Sequence, residues 1–295
     1  MQLRTSVPHA VKFVAKNGDV ELHGDRFGET TAPAVLLLAG NGCSSEYWPE
    51  DFCELLVAAG LQVIRFDYRD TGFSSRGTGL YGIPELQRDA LRVLDACKVK
   101  KAHLVGLSMG GFIAQRLALD VPDRVLSVTS LMSTSDYATM LHVFSGGPAP
   151  TSGLPLPSSS WLAALKALSP ELSAREVALE SWRLALGDAA FDRQHWSRLM
   201  NRADEHGDDS RAGDLHRAAC LRSERLNILG QLGSAKAPML FIEGELDPIF
   251  PTGHAAASAK AANGRQLQLT GIGHGLAPSF YAPIVAAVVE HVRRS

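Results

Sequence analysis

The chain has 295 residues, 45% of them hydrophobic and 20% charged, a composition that builds a sizeable apolar core and is unlike that of a disordered segment. Its formal net charge is -2 with the basic residues scattered, so it lacks the electrostatic footprint of a nucleic-acid binder. No stretch approaches the roughly 20 apolar residues of a membrane helix, and Met1 to Lys16 holds no long apolar run of signal-peptide type. The expectation is a cytoplasmic protein that contacts neither nucleic acid nor membrane. Its four cysteines, Cys43, Cys53, Cys97 and Cys220, form no Cys-x-x-Cys pair, which argues against a zinc site or a dithiol redox motif.

Val11 to Val14 and Val20 to His23 flank Asn17-Gly18-Asp19. Asn-Gly tolerates the positive φ of tight turns, so this stretch predicts an antiparallel hairpin at a sheet edge. Ala34 to Ala39 is a continuous apolar run before Gly40-Asn41-Gly42, the pattern of a central strand buried on both faces. A helix is expected over Glu50 to Ala59, stopped by Gly60, then a strand over Leu61 to Phe66 that delivers Asp67-Tyr68-Arg69-Asp70-Thr71-Gly72 into a loop. Pro84 to Cys97 reads as a helix with Leu86, Ala90, Val93, Leu94 and Cys97 on one face. Ala102 to Leu107 has buried-strand length, the residues after it recur at helical spacing, and Val125 to Met132 is a further strand. Such alternation requires a mainly parallel sheet with right-handed crossovers.

From Ser133 to about Ala235 no apolar run demands a strand. Phe144 to Ser160 is a Gly/Pro/Ser-rich, flexible lead-in. Helices are expected over Ala163 to Leu168, Ala174 to Leu186, Asp192 to Glu205 and Ala212 to Ser223. Trp161, Trp182 and Trp196 fall here, and each would either pack a helical layer or face a cleft beneath it. The sheet resumes with strands over Pro238 to Glu243 and Arg265 to Leu269, and Pro283 to Val292 is a closing helix.

The residues Val105-Gly106-Leu107-Ser108-Met109-Gly110-Gly111-Phe112 are the centre of the chemistry. They read as a strand end, a forced turn and a helix start, with Ser108 at the apex. Gly106 and Gly110 must lack side chains for neighbouring segments to approach such a turn. Serine is a poor nucleophile at neutral pH and needs a base, and the base needs an orienting carboxylate.

Of ten histidines, His274 alone sits in a glycine-walled loop directly after a strand, where parallel sheets place functional groups. His103 starts the strand that ends before Ser108 and would lie at the far end of the sheet. His142 is a rival after the sixth strand; His195, His206 and His216 lie on polar helices and are expected to be solvated. For the carboxylate, Asp247 follows a strand and precedes Pro248, which favours an extended turn. Its rivals are Asp136 and Glu245.

The sequence resembles the α/β-hydrolase family over nearly its whole length, and within it the bacterial capped methylesterases. The resemblance rests on Gly18-Asp19-Val20-Glu21-Leu22, Val63-Ile64-Arg65-Phe66-Asp67-Tyr68-Arg69-Asp70-Thr71-Gly72, Gly106-Leu107-Ser108-Met109-Gly110, Asp247-Pro248-Ile249 and Gly273-His274. It implies an α/β fold with a mostly parallel eight-stranded sheet, helices on both faces and a helical cap after strand six. Residues 1–132 and 236–295 would form the core and 133–235 the cap. The resemblance also implies Asp247 as the carboxylate, giving the chain order Ser108, Asp247, His274.

In this family backbone N–H groups hold the oxyanion, one after the serine and one after the third strand. Those roles carry to Met109 and Asn41, where Ala39-Gly40-Asn41 replaces the family's usual His-Gly-x. The Asp67-x-Arg69 loop resembles a structural turn. The resemblance implies a serine hydrolase without metal or organic cofactor, acting on a small hydrophobic ester substrate, with a methyl ester of a bulky hydrophobic acid as the example. Lactonases, thioesterases, C–C hydrolases and proline iminopeptidases share the same triad, and an iminopeptidase would need a cap carboxylate such as Glu180, Asp204 or Glu205. Some small-molecule receptors also keep the fold.

Overall fold

The apolar runs become the inner strands of one sheet in the computed structural model, which describes residues 10–77, 79–138, 142–143 and 153–295. In chain order the strands are β1 (Val11–Asn17), β2 (Val20–Phe27), β3 (Ala34–Leu38), β4 (Gln62–Phe66), β5 (Ala102–Leu107), β6 (Val125–Leu131), β7 (Met239–Gly244) and β8 (Arg265–Leu269). Across the sheet they run β1-β2-β4-β3-β5-β6-β7-β8. β2 is antiparallel to both β1 and β4, and from β4 to β8 every neighbouring pair is parallel. The hairpin closes with Asn17 opposite Val20, and Gly18 takes a φ of 63° in the turn.

The helices that cover this sheet are α1 (Glu50–Ala58), α2 (Ile83–Ala96), α3 (Met109–Asp120), α8 (His254–Ala262) and α9 (Tyr281–Arg293). Alternation along the strands divides the core between two faces. Leu36, Leu38 and Ile64 join residues of α2, α3 and α8 in one apolar cluster. Val35, Leu37 and Val63 join residues of α1 and α9 in the other. All five residues of β3 and of β4 are buried, and full burial of one such Leu or Val stabilises by about 1.5–3 kcal/mol.

Between β6 and β7 come α4 (Ser159–Lys166), α5 (Ala174–Leu186), α6 (Arg193–Glu205) and α7 (Ala212–Leu221). α4 starts earlier than its apolar pattern indicates, because Ser158 Oγ accepts the Trp161 N–H at 3.3 Å and caps the first turn. Of the expected lead-in over 144–160, residues 144–152 lie outside the described residues. Among helices α1 to α9, one has no counterpart in the sequence reading. It is α8, whose run His-Ala-Ala-Ala-Ser-Ala-Lys-Ala-Ala favours helix by alanine content yet offers little apolar contrast between its faces. Among the described residues no helix is long and apolar enough to cross a membrane.

Candidate active site

The end of β5, Ser108 and the start of α3 form the sharp turn that the glycines allow. Ser108 has φ 55° and ψ -118°, a strained conformation for a residue with a side chain. A Cβ on Gly106 would lie 2.2 Å from the Gly110 carbonyl oxygen, and one on Gly110 would lie 2.1 Å from that of Leu38. Both contacts are with backbone, so neither position accepts alanine without moving a strand or helix. The Ser108 N–H donates to the Leu131 carbonyl at 2.9 Å, and the Ser133 hydroxyl donates to the Ser108 carbonyl at 2.6 Å. The strain is thereby held from β6.

His274 and Asp247 stand on the loops after β8 and β7. His274 Nδ1 lies 2.8 Å from Asp247 Oδ2. The other carboxylate oxygen accepts the N–H groups of Ile249 at 2.8 Å and Phe250 at 2.9 Å. A buried carboxylate with three donors has one orientation, and through Nδ1 it sets the imidazole so that Nε2 points to the opposite side of the ring. Helix α5 holds the histidine loop from outside the sheet: Gly273 N–H donates to Leu186 O and His274 N–H to Ala185 O, both at 2.7 Å. The rival carboxylates are engaged elsewhere. Asp136 Oδ1 accepts the Ala138 N–H at 3.0 Å within its own turn, and exposed Glu245 accepts the Gly271 N–H at 3.0 Å. His103 is buried on β5, 2.8 Å from Ser127 Oγ.

Ser108, His274, Gly40 and Asn41 border one cavity of about 440 Å³, walled largely by Tyr137, Trp161, Trp182, Leu221, Ile249 and Phe250. Met109, the first residue of α3, is fully buried beside them, and the first N–H groups of an α-helix have no intrahelical partner. The Asn41 side-chain amide donates to the Gly213 carbonyl at 3.1 Å. Burial pushes the Tyr137 phenol up, against a hydrogen bond with the Ser108 side chain that lowers it. Sequence reading passed over Tyr137, although its place just after β6, at the carboxyl end of a parallel strand, was a usable signal. Arg217, also unforeseen, lines the cavity and pairs with Asp214 at 2.6 Å.

The three tryptophans divide. Trp161 and Trp182 line the cavity, whereas Trp196 is 2% exposed and stacks on Trp182 with centroids 4.4 Å apart. The three histidines expected to be solvated are not: His195 is half-buried, with Nε2 3.5 Å from the Tyr281 hydroxyl. His206 is half-buried with Nε2 2.8 Å from Asp67 Oδ2, and His216 is fully buried between the Gly42 N–H and the Arg69 carbonyl. Their helices are polar, but the polar face of each meets the core loops, where hydrogen-bonding side chains are needed. The loop at Asp67 and Arg69 is heavily bonded: Asp67 accepts the N–H groups of Ser45 and Phe73, and Arg69 binds both oxygens of Asp89 at 2.7 Å.

A family profile for the alpha/beta hydrolase fold matches residues 33–277. The chain belongs to the α/β-hydrolase family. As a member of it, the chain is 35% identical over 289 residues to rhodomycin D methylesterase DnrP of Streptomyces peucetius, covering 94% of this chain and 96% of that one. The corresponding DauP enzyme of Streptomyces sp. strain C5 is 34% identical, over 93% of this chain and 96% of that one. Among solved structures, 2-hydroxy-6-oxo-6-phenylhexa-2,4-dienoate hydrolase from Rhodococcus sp. strain RHA1 aligns with a TM-score of 0.75 at 17% identity, over 97% of this hydrolase and 99% of that chain. The enol-lactonase from Burkholderia xenovorans LB400 gives 0.72 at 21% identity, over 95% and 100%.

Proposed function

We propose that this hydrolase cleaves carboxylic esters of bulky hydrophobic acids, methyl esters among them, through an acyl-enzyme on Ser108. One observation carries the reading: Ser108 and the His274–Asp247 pair border a single cavity whose walls are mainly aromatic and aliphatic. Ser108 Oγ attacks the ester carbonyl while His274 Nε2 takes its proton, and Asp247 stabilises the imidazolium. The negative charge that develops on the carbonyl oxygen is held by the N–H groups of Met109 and Asn41. Collapse of the tetrahedral species breaks the C–O bond, and the alcohol leaves with the proton from His274. Water then attacks the acyl-enzyme with His274 as base, releasing the acid and restoring Ser108.

The two rhodomycin D methylesterases support a methyl ester as the bond cleaved. Residues 133–235 act in this reading as the cap, and Trp161 and Trp182 give a hydrophobic acid its flat contact surfaces. The carboxylates that an iminopeptidase would use are engaged or elsewhere. Glu180 is bound by Arg183 and Arg193, Asp204 by Arg175, and among the described residues neither these nor Glu205 line the cavity. All four cysteines are free and buried, which suits work in a reducing cytoplasm.

The test is multiple-turnover hydrolysis of a panel of aromatic methyl esters, lactones, thioesters and proline anilides, with wild type and Ser108→Ala, plus labelling by a fluorophosphonate. We expect sustained turnover on the bulky methyl esters, loss of at least about 10³-fold in Ser108→Ala, and label on Ser108. A variant within tenfold of wild type, or label on another residue, would overturn the assignment.

A further inference from the structure

Helix α7 reaches across to the loop after β3, at the very residues proposed to hold the oxyanion. Gly42 N–H donates to His216 Nδ1 at 3.1 Å across 174 positions of sequence, and the Asn41 amide donates to Gly213 O. The fit is close: a Cβ on Gly42, whose φ is 69°, would lie 2.6 Å from the Gly213 Cα. On its other side His216 Nε2 lies 2.9 Å from the Arg69 carbonyl, in the loop after β4. A carbonyl only accepts, so Nε2 carries the proton and Nδ1 is the acceptor that Gly42 requires. One neutral imidazole therefore joins the loops after β3 and β4 from the helical segment. It is fully buried, edge-on to Tyr68 and Tyr81 at 6.1 and 6.3 Å.

We propose that His216, assisted by Gly213, is a positioning residue for the oxyanion hole: it fixes the loop whose Asn41 N–H faces the reacting carbonyl oxygen. The proposal rests on the ester-hydrolase reading above. Its physical basis is that an oxyanion donor acts only when held at 2.7–3.1 Å from where charge develops, and a short glycine-flanked loop does not keep that geometry by itself. A helix from the segment that covers the cavity supplies the missing constraint. The hole is then complete only when α7 is docked, which links covering of the substrate to stabilisation of the transition state.

The test compares His216→Gln, which keeps a distal donor for the Arg69 carbonyl but loses the Nδ1-placed acceptor, with His216→Asn, which keeps an acceptor near Nδ1. Each is assayed with 4-nitrophenyl butyrate for kcat and KM and with phenylboronic acid for Ki, since the boronate adduct of the serine places an oxygen in the hole. We expect His216→Gln to lower kcat and raise Ki by about 10–100-fold, short of the ~10²–10³ for outright loss of a donor, with KM changed less than about twofold, and His216→Asn to recover most of the loss. Asn41→Ala, which removes the bond from the loop to the Gly213 carbonyl, should show the same pattern and covers the case in which His216→Gln does not fold. Equal effects in His216→Gln and His216→Asn, a change in KM alone, or unchanged kcat and Ki in folded His216→Gln or Asn41→Ala would overturn the proposal. Ser108→Ala, run alongside, separates the two readings: if it stays active the ester mechanism itself is wrong, whereas if it is dead and the His216 variants are normal only the positioning role fails.

Discussion

Helices α3 and α4 show how differently the two parts of this molecule are held. α3 buries every residue from Met109 to Ala118, whereas α4 buries none. The sheet and its flanking helices cohere through apolar contact on two faces. The segment between β6 and β7 joins those clusters through residues such as Leu186, Trp196, Leu199 and Cys220, and adds directed polar ties to the core loops: His206 to Asp67, Asp208 to Ser44 and the Gly72 N–H, Gly213 to Asn41 and His216 to Gly42. Apolar burial is non-directional and insensitive to pH, so it suits a scaffold that must hold Ser108 in a strained turn. Polar ties fix geometry at chosen points and leave the rest of the covering surface free to vary.

The largest effect should come from the core side. Asp247→Asn should lower kcat by about 10²–10⁴-fold with KM nearly unchanged, since the wrong imidazole tautomer results, while Asp136→Asn stays within about fivefold. Steady-state kinetics on a methyl ester decide between them, and the reverse ranking would move the carboxylate role to the loop after β6.

Stability offers the next contrast. Leu36→Ala, at a fully buried position of β3, should cost about 2–5 kcal/mol in urea unfolding. Leu162→Ala in half-buried α4 should cost less than about 1 kcal/mol. Similar losses at both sites would show that the two regions are not packed as differently as described.

Substrate choice sharpens the comparison within the covering segment. Trp182→Ala should shift the kcat/KM ratio between a bulky aromatic methyl ester and a small acetate ester by about tenfold, the scale of lost apolar contact in a pocket. Trp196→Ala, outside the cavity lining, should lower the melting temperature and move that ratio much less. Equal changes in ratio would mean that the stacked pair acts on substrate as one unit.

The smallest expected effect is in pH. Burial lifts the Asp208 carboxyl from 3.8 to about 6, and Asp67 adds to the shift. Such a group is without cost while protonated in both folded and unfolded chains, below about pH 4, and destabilises the fold increasingly as pH climbs through 6. Burial opposes protonation of His206, but its hydrogen bond to Asp67 and the attraction of that charge prevail and raise it above 6.5. Its favourable contribution is full below pH 6.5 and fades as pH rises through the raised value. Both effects loosen the segment's hold on the core from pH 5 to 8. Wild type should lose about 2–4 °C more in melting temperature over that range than Asp208→Asn, and parallel curves would show that the carboxyl does not titrate there.

The sequence by itself determined the family, the alternation of strands and helices and the glycine-flanked turn at Ser108. It could do so because each is a local property: an apolar run of strand length, a helical spacing, or a glycine where a Cβ would strike backbone. Helix α8 escaped, since an alanine-rich segment carries propensity without a contrast between faces. What only the tertiary structure decided were partnerships between distant residues. Periodicity can say that a helix has a polar face; it cannot say that the face will meet a core loop 174 positions away, as His216 meets Gly42. For the same reason His195, His206 and His216 read as solvated until the fold placed them against other elements, and Trp182 was separated from Trp196. Burial along a strand or helix is a one-dimensional signal, whereas the partner that satisfies a buried polar group is set by how whole elements pack.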